Sequence, residues 1–320
     1  MNQFDPSRYR RYQMYGLIFQ FTCFVANFVA LFFLGYLLID LLITGFDGLS
    51  LDFITNTAHP NPKRAGILSG IVGTLWLMGL TAAFAIPIGV GAGIFLEEYA
   101  RNNRIVRFVK LNIQNLAGVP SIIYGILGYT LFGIWLPRAL QILIDGFNTV
   151  LGPMGLAITF DPSVLGQSVL AGSLTMALLV LPVITIAAQE ALRAVPDSFR
   201  LAGYGIGMTR WQVVRYQVLP VATPGILTGV ILALSRAIGE AAPLLLVGAA
   251  GYIAFVTGHP LDGYTVLPIQ IYNWTGRPQE EFHALAGSAI IVLLVVLLLM
   301  NAVAIYLRLF FRKKLSYLHS

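Results

Sequence analysis

EALRAVPDSFRLAGYGIGMTRWQVVRYQVLP, residues 190–220, carries Arg193, Arg200, Arg210 and Arg215 between two stretches that are almost free of charge. An arginine at the bilayer centre costs about 2.5–3.5 kcal/mol even on a lenient insertion scale, so this segment is too polar to span a membrane. Local signals divide it. Pro196 breaks the preceding helix, Asp197 or Ser198 can cap a new one, and Gly207 permits a left-handed turn. Thr209 can cap another short helix beginning near Arg210. The expectation is helix, glycine turn, helix, ended at Pro220. A second reading is an interfacial helix resting on anionic lipid, since Trp211 and Tyr216 among arginines suit that role.

On either side lie uncharged stretches at residues 16–39, 65–96, 111–137, 162–189 and 284–307. Each is long enough to cross a bilayer as a helix at about 1.5 Å per residue. A sixth, residues 221–248, contains Arg236 and Glu240. The 320 residues are 57% hydrophobic and 11% charged, against roughly 25% charged in a soluble domain, so the class is an all-α integral membrane protein with six transmembrane helices. The first run is too long for a signal-peptide core and no small-residue cleavage site follows it, so it is read as a retained helix. Cys23 is the only cysteine, which excludes an intrachain disulfide and a cysteine zinc site.

The net charge of +6 is explained by topology. Placing the termini and the even-numbered connections on one side puts Arg8, Arg10, Arg11, Arg101, Arg104, Arg107, Lys110, Arg193, Arg200, Arg210, Arg215, Arg308, Arg312, Lys313 and Lys314 there. That is 15 of the 20 basic residues. Lys63, Arg64, Arg138 and Arg277 fall opposite and Arg236 in the membrane. The positive-inside bias then sets both termini in the cytoplasm and removes the need for a nucleic-acid partner. Residues 44–64, 138–161 and 251–283 read as outer connections, richer in Pro, Asn, Asp and Gly than the spans. No internal repeat appears, so the chain reads as one transmembrane domain over residues 1–320, with a core at about 66–310.

Arg236 and Glu240 are spaced i, i+4, which puts both on one helix face, where they can pair and face the bundle interior or a water-filled path. A purely structural ion pair is the alternative. The arginine fork suits bidentate contact with a tetrahedral oxyanion, with Glu240 holding or releasing it. Pro120 and Pro243 each remove a backbone hydrogen bond inside an apolar span and imply kinks or broken helices. Gly118, Gly125 and Gly128 suit close helix approach. His59, His259, His283 and His319 lie in loops, at a span end and in the tail without metal-ligand spacing.

The segment 191–220 resembles the coupling loop of binding-protein-dependent importer permeases, whose pattern is Glu-Ala-Ala, three residues, Gly, nine residues, Ile-x-Leu-Pro. Leu201, Ala202 and Gly203 occupy the triplet, Gly207 the turn, and Gln217, Val218, Leu219 and Pro220 the end. Leu201 replaces the Glu, Gly203 the second Ala and Gln217 the Ile. LAGVPSIIYG at 116–125 and LSRAIGEAAPLLLVG at 234–248 resemble spans of phosphate permeases, and LPIQIYN at 267–273 resembles the loop before the last span of the PstA-type subunit. The resemblance implies the type I importer fold and ATPase contact through Ala202, Gly203, Gly207, Leu219 and Pro220. It also implies a functional role for Arg236 and Glu240, a PstC-type permease partner, an ATPase dimer and an extracytoplasmic phosphate-binding protein.

No G-x-x-x-x-G-K-[ST] motif is present, and of Lys63, Lys110, Lys313 and Lys314 none follows a glycine. The chain is therefore expected to bind no cofactor itself, ATP and magnesium belonging to the partner ATPase. A secondary transporter would call for an inverted repeat. An intramembrane serine protease would call for facing Ser and His, and Ser288 with His283 five residues away at a span edge is a poor candidate.

Overall fold

The computed structural model describes residues 6–101, 103–151, 161–249 and 251–316. Residues 152–160 of the expected outer connection, and His319 in the tail, lie outside the described residues. Among the described residues six helices are long and apolar enough to cross a membrane: Tyr12–Phe46, Leu68–Tyr99, Ser121–Thr149, Val169–Arg193, Arg210–Ile238 and Glu280–Tyr306. In chain order the helices are α1 (Pro6–Phe46), α2 (Leu51–Thr55), α3 (Leu68–Ile94), α4 (Arg104–Ala117), α5 (Ser121–Gly128), α6 (Leu136–Leu151) and α7 (Val169–Arg193). They continue with α8 (Asp197–Gly205), α9 (Arg210–Val213), α10 (Leu219–Ile238), α11 (Ala242–Leu246), α12 (Leu267–Thr275) and α13 (Glu280–Ser316).

The centre is α7 packed on α3 and α10. Lipid tails are as apolar as leucine, so helices in a bilayer associate through close packing rather than hydrophobic expulsion, and small residues at the contact allow it. Gly93 of α3 lies against Ala188 and the Thr185 carbonyl of α7, and Gly229 of α10 against Ala187. Around these contacts Leu77, Met78, Ala85, Met176, Ile184 and Ala237 form the main core. A second core at one end joins Phe53 of α2, Trp274 of α12 and Phe282 of α13. At that end the first N–H groups of α7, which no helical carbonyl can satisfy, are met by the connection between α11 and α12: Val169 N–H donates to Asp262 O at 3.0 Å and Leu170 N–H to Pro260 O at 2.9 Å. α1 packs on α13, with Gly45 against Gly287 and the Ser288 hydroxyl donating to Gly45 O at 2.8 Å.

Four local expectations are corrected. The third span does not run over 111–137. Residues 104–117 form the separate amphipathic helix α4, with no buried residue, and the span begins at Ser121, passes through a π-helical stretch at Tyr129–Trp135 and continues as α6. Part of the expected outer loop 138–161 is therefore helix. The helix starting at Arg210 does not stop at Pro220, because a π-helical turn at Val214–Val218 leads directly into α10 and Pro220 falls in its first turn. A proline there loses no helical bond that the widened turn has not already given up. α8 has no side-chain cap from Asp197 or Ser198; Pro196 is the residue that precedes it. The stretch 267–273 is not a loop: it is α12, with Pro268 in its first turn and the Gln270 amide donating to Gly66 O at 2.8 Å.

Candidate functional site

Two broken helices meet at one place. Pro120 ends the connection between α4 and α5, and its missing N–H would leave the Leu116 carbonyl, four residues back, without its helical donor. That carbonyl accepts from Val119 N–H at 3.0 Å and from the buried Tyr124 hydroxyl at 2.8 Å. The second break separates α10 from α11 at Gly239–Ala241, with Pro243 in the first turn of α11. Gly125 of α5 lies directly on Pro243, and a Cβ at 125 would come within 2.7 Å of Pro243 Cα. The two prolines, 123 residues apart in sequence, thus shape one junction. Gly125 makes its close approach there and Gly128 makes one to Thr175 of α7, whereas Gly118 touches only its own turn and serves as the C-cap of α4.

A cavity of about 210 Å³ opens beside this junction, lined by Ser121, Tyr124, Val180, Ala233, Arg236 and Glu240 among others. Arg236 Nε stands 3.8 Å from Glu240 Oε1, an ion pair too long to be a hydrogen bond. The Arg236 side chain is 71% exposed and that of Glu240 22%. The i, i+4 pairing is present, although the helix ends at Ile238 and Glu240 stands just past it. A charge this open, on a membrane helix, has to face water or a partner rather than lipid.

The stretch 197–220 makes a second site. Gly207 adopts φ +82° with its N–H donating to Tyr204 O at 3.0 Å, and Met208 N–H reaches back to Gly203 O at 3.1 Å. This closes α8 and turns the chain into α9. Thr209 and Gln212 form a reciprocal capping box at the start of α9. Gly203 is buried against Val213, while Leu201, Ala202, Tyr204 and Ile206 are exposed on the other side of α8. Leu219 and Pro220 are half-buried at the base of α10, away from that exposed face. Of the residues expected at the ATPase contact, Ala202 and Gly207 are therefore on the surface, whereas Gly203 is buried against Val213, and Leu219 and Pro220 are half-buried at the start of α10. Trp211 and Tyr216 are exposed, with Arg215 stacked over both rings at 6.0 and 5.6 Å.

Sequence reading missed the residues that anchor α8. A π-helical turn at Phe95–Tyr99 ends the second span and holds Glu97 and Glu98. Arg200 of α8 donates to Glu98 Oε1 at 2.6 Å and also to the carbonyls of Leu192 and Val195 at 2.9 and 2.8 Å. Glu98 raises the already high pKa of the Arg200 guanidinium, chiefly by that hydrogen bond. Tyr99 lies under Arg210 at 5.3 Å. The available signal was two adjacent acids at the end of an apolar run, where a carboxylate needs a basic partner.

The family of binding-protein-dependent transport system inner membrane components matches residues 85–317. The "Phosphate transport system permease protein PstA" of Haemophilus influenzae is 30% identical over 91% of this chain and 92% of its own length. The corresponding PstC protein of Mesorhizobium japonicum is 34% identical over 72% of this chain and 71% of its own. A chain of the bacterial alginate ABC transporter, solved with its alginate-pentasaccharide-bound periplasmic protein, superposes with a TM-score of 0.60 at 17% identity, covering 93% of this chain and 94% of that one. The family match spans well over half of the chain and the fold is shared with a solved ABC transporter, and this chain belongs to the binding-protein-dependent transport system inner membrane components.

Proposed function

We propose that this chain is the transmembrane permease subunit of an ATP-driven phosphate importer. Arg236 carries the reading: a permanently charged fork, mostly open, at the junction of two broken helices. Its relatives named as phosphate permeases support the choice of ion. Phosphate brings roughly −1.5 to −2 charges by analogy with a phosphomonoester, so one arginine leaves it incompletely neutralised and a second permease subunit completes the path. The exposed face of α8, with Leu201, Ala202, Tyr204 and Ile206, docks a separate ATPase that binds ATP and magnesium. A solute-binding protein delivers the ion at the opposite end. The chain is a transport subunit, not itself an enzyme, and it resides as a multi-pass protein in the inner membrane.

The test is co-purification of the chain with its partners, reconstitution in vesicles and measurement of ATP hydrolysis with the cognate binding protein. Inorganic phosphate is expected to stimulate hydrolysis and to enter the vesicles; stimulation by sulfate or molybdate instead would assign another oxyanion. Both termini are proposed to be cytoplasmic. Lys110, Arg193, Arg200 and Arg210 converge at one end of the bundle, which supports putting their connections on one side. A reporter fused after Ser320 is expected to be active only if it needs the cytoplasm, and activity restricted to an outer-compartment reporter would reverse the topology.

A further inference from the structure

Glu97 and Glu98 are neighbours in sequence yet bind different elements. Glu97 accepts from Lys110 of α4 at 2.8 Å and from Arg193 at the end of α7 at 3.1 and 3.2 Å. Glu98, whose side chain is 8% exposed, accepts from Arg200 of α8 through two nitrogens at 2.6 and 3.4 Å. Successive residues of a helical turn point in different directions around its axis, so one helix end can grip the docking helix with one residue and α4 with the next. From Lys110, α4 runs directly to Leu116 and Ala117, which line the Arg236 cavity, and then to the Pro120 break.

The geometry points to Glu97 and Glu98 as positioning residues that carry motion between the docking helix α8 and the Arg236 cavity, by way of α4; the inference rests on the permease reading above. The Glu97 pairs lie on a partly exposed face, where ion pairs contribute little to stability. What distinguishes them is connection. A displacement of α8 pulls Arg200 and Glu98, and the π-helical turn passes it through Glu97 and Lys110 to α4. Such a turn, one residue wider than an α-helical one, is a frequent feature of functional sites.

The experiment uses the assembled complex with its ATPase, in a Cys23→Ser background with Ser121→Cys as a reporter beside the cavity. Labelling of the introduced thiol by a water-soluble maleimide is measured with and without ATP and vanadate. With the clamp intact, nucleotide trapping is expected to change the labelling rate several-fold. Glu98→Gln, which weakens the α8 arm, and Lys110→Met, which removes the α4 arm, are each expected to abolish that change while ATP hydrolysis persists. Lys110 is partly exposed, so Lys110→Met decides the matter should Glu98→Gln fail to assemble. A retained nucleotide-dependent change in assembled Lys110→Met complexes, or no change with the clamp intact, overturns the inference. The readout needs no phosphate, so a wrong ion assignment shows in the uptake assay alone.

Discussion

Arg236→Gln is expected to cut phosphate uptake roughly 10-fold or more in a complex that still inserts and assembles. Removing a charge from a membrane span eases insertion, and the 3.8 Å contact with Glu240 leaves little pairing to lose. With the Arg236 side chain 71% exposed, losing its charged hydrogen bonds to the ion costs about 1.5–3 kcal/mol, which corresponds to roughly a 10-fold loss or more. Were Arg236 only the structural partner of Glu240, the single variant would instead leave a half-buried carboxylate unopposed and impair assembly. Then Arg236→Gln with Glu240→Gln would restore both assembly and uptake. Counting assembled complexes and transported phosphate for both variants separates the two. Near-normal uptake in the assembled double variant would remove both charges from the ion path.

Gly207→Pro should uncouple the docking segment completely, and Gly207→Ala only in part. At φ +82° there is open space around the Cα, so the penalty is conformational rather than steric. An alanine there costs roughly 1–2 kcal/mol. Proline is locked near −65° and has no N–H for the Tyr204 carbonyl, so it cannot make the turn. α8 would then be redirected and its exposed face, with Ile206 beside the turn, would no longer meet a partner. Phosphate transported per ATP hydrolysed, at equal expression, is the measurement. Wild-type coupling in Gly207→Pro would rule the turn out as part of the transmission path.

Much of this is written in local sequence. Six apolar runs separated by charge are enough to count six spans, because a bilayer demands about 20 apolar residues per helix regardless of neighbours. The Gly207 turn and the Thr209 cap were equally legible, since each depends on backbone chemistry within a few residues. The prolines mark where local reading stops. Pro87, Pro182 and Pro224 lie inside continuous helices, whereas Pro120 and Pro243 stand at breaks. All lack the same N–H, and whether a helix continues depends on what packs around it and satisfies the freed carbonyl. The Tyr124 hydroxyl does so at one break, and Gly125 seats the two breaks together. The Glu97 and Glu98 clamp is further still from the sequence, because its partners in α7 and α8 lie 96 to 102 residues away. A carboxylate at a membrane edge announces that it needs a cation, and only the packing of α3, α4, α7 and α8 decides which cation comes within reach.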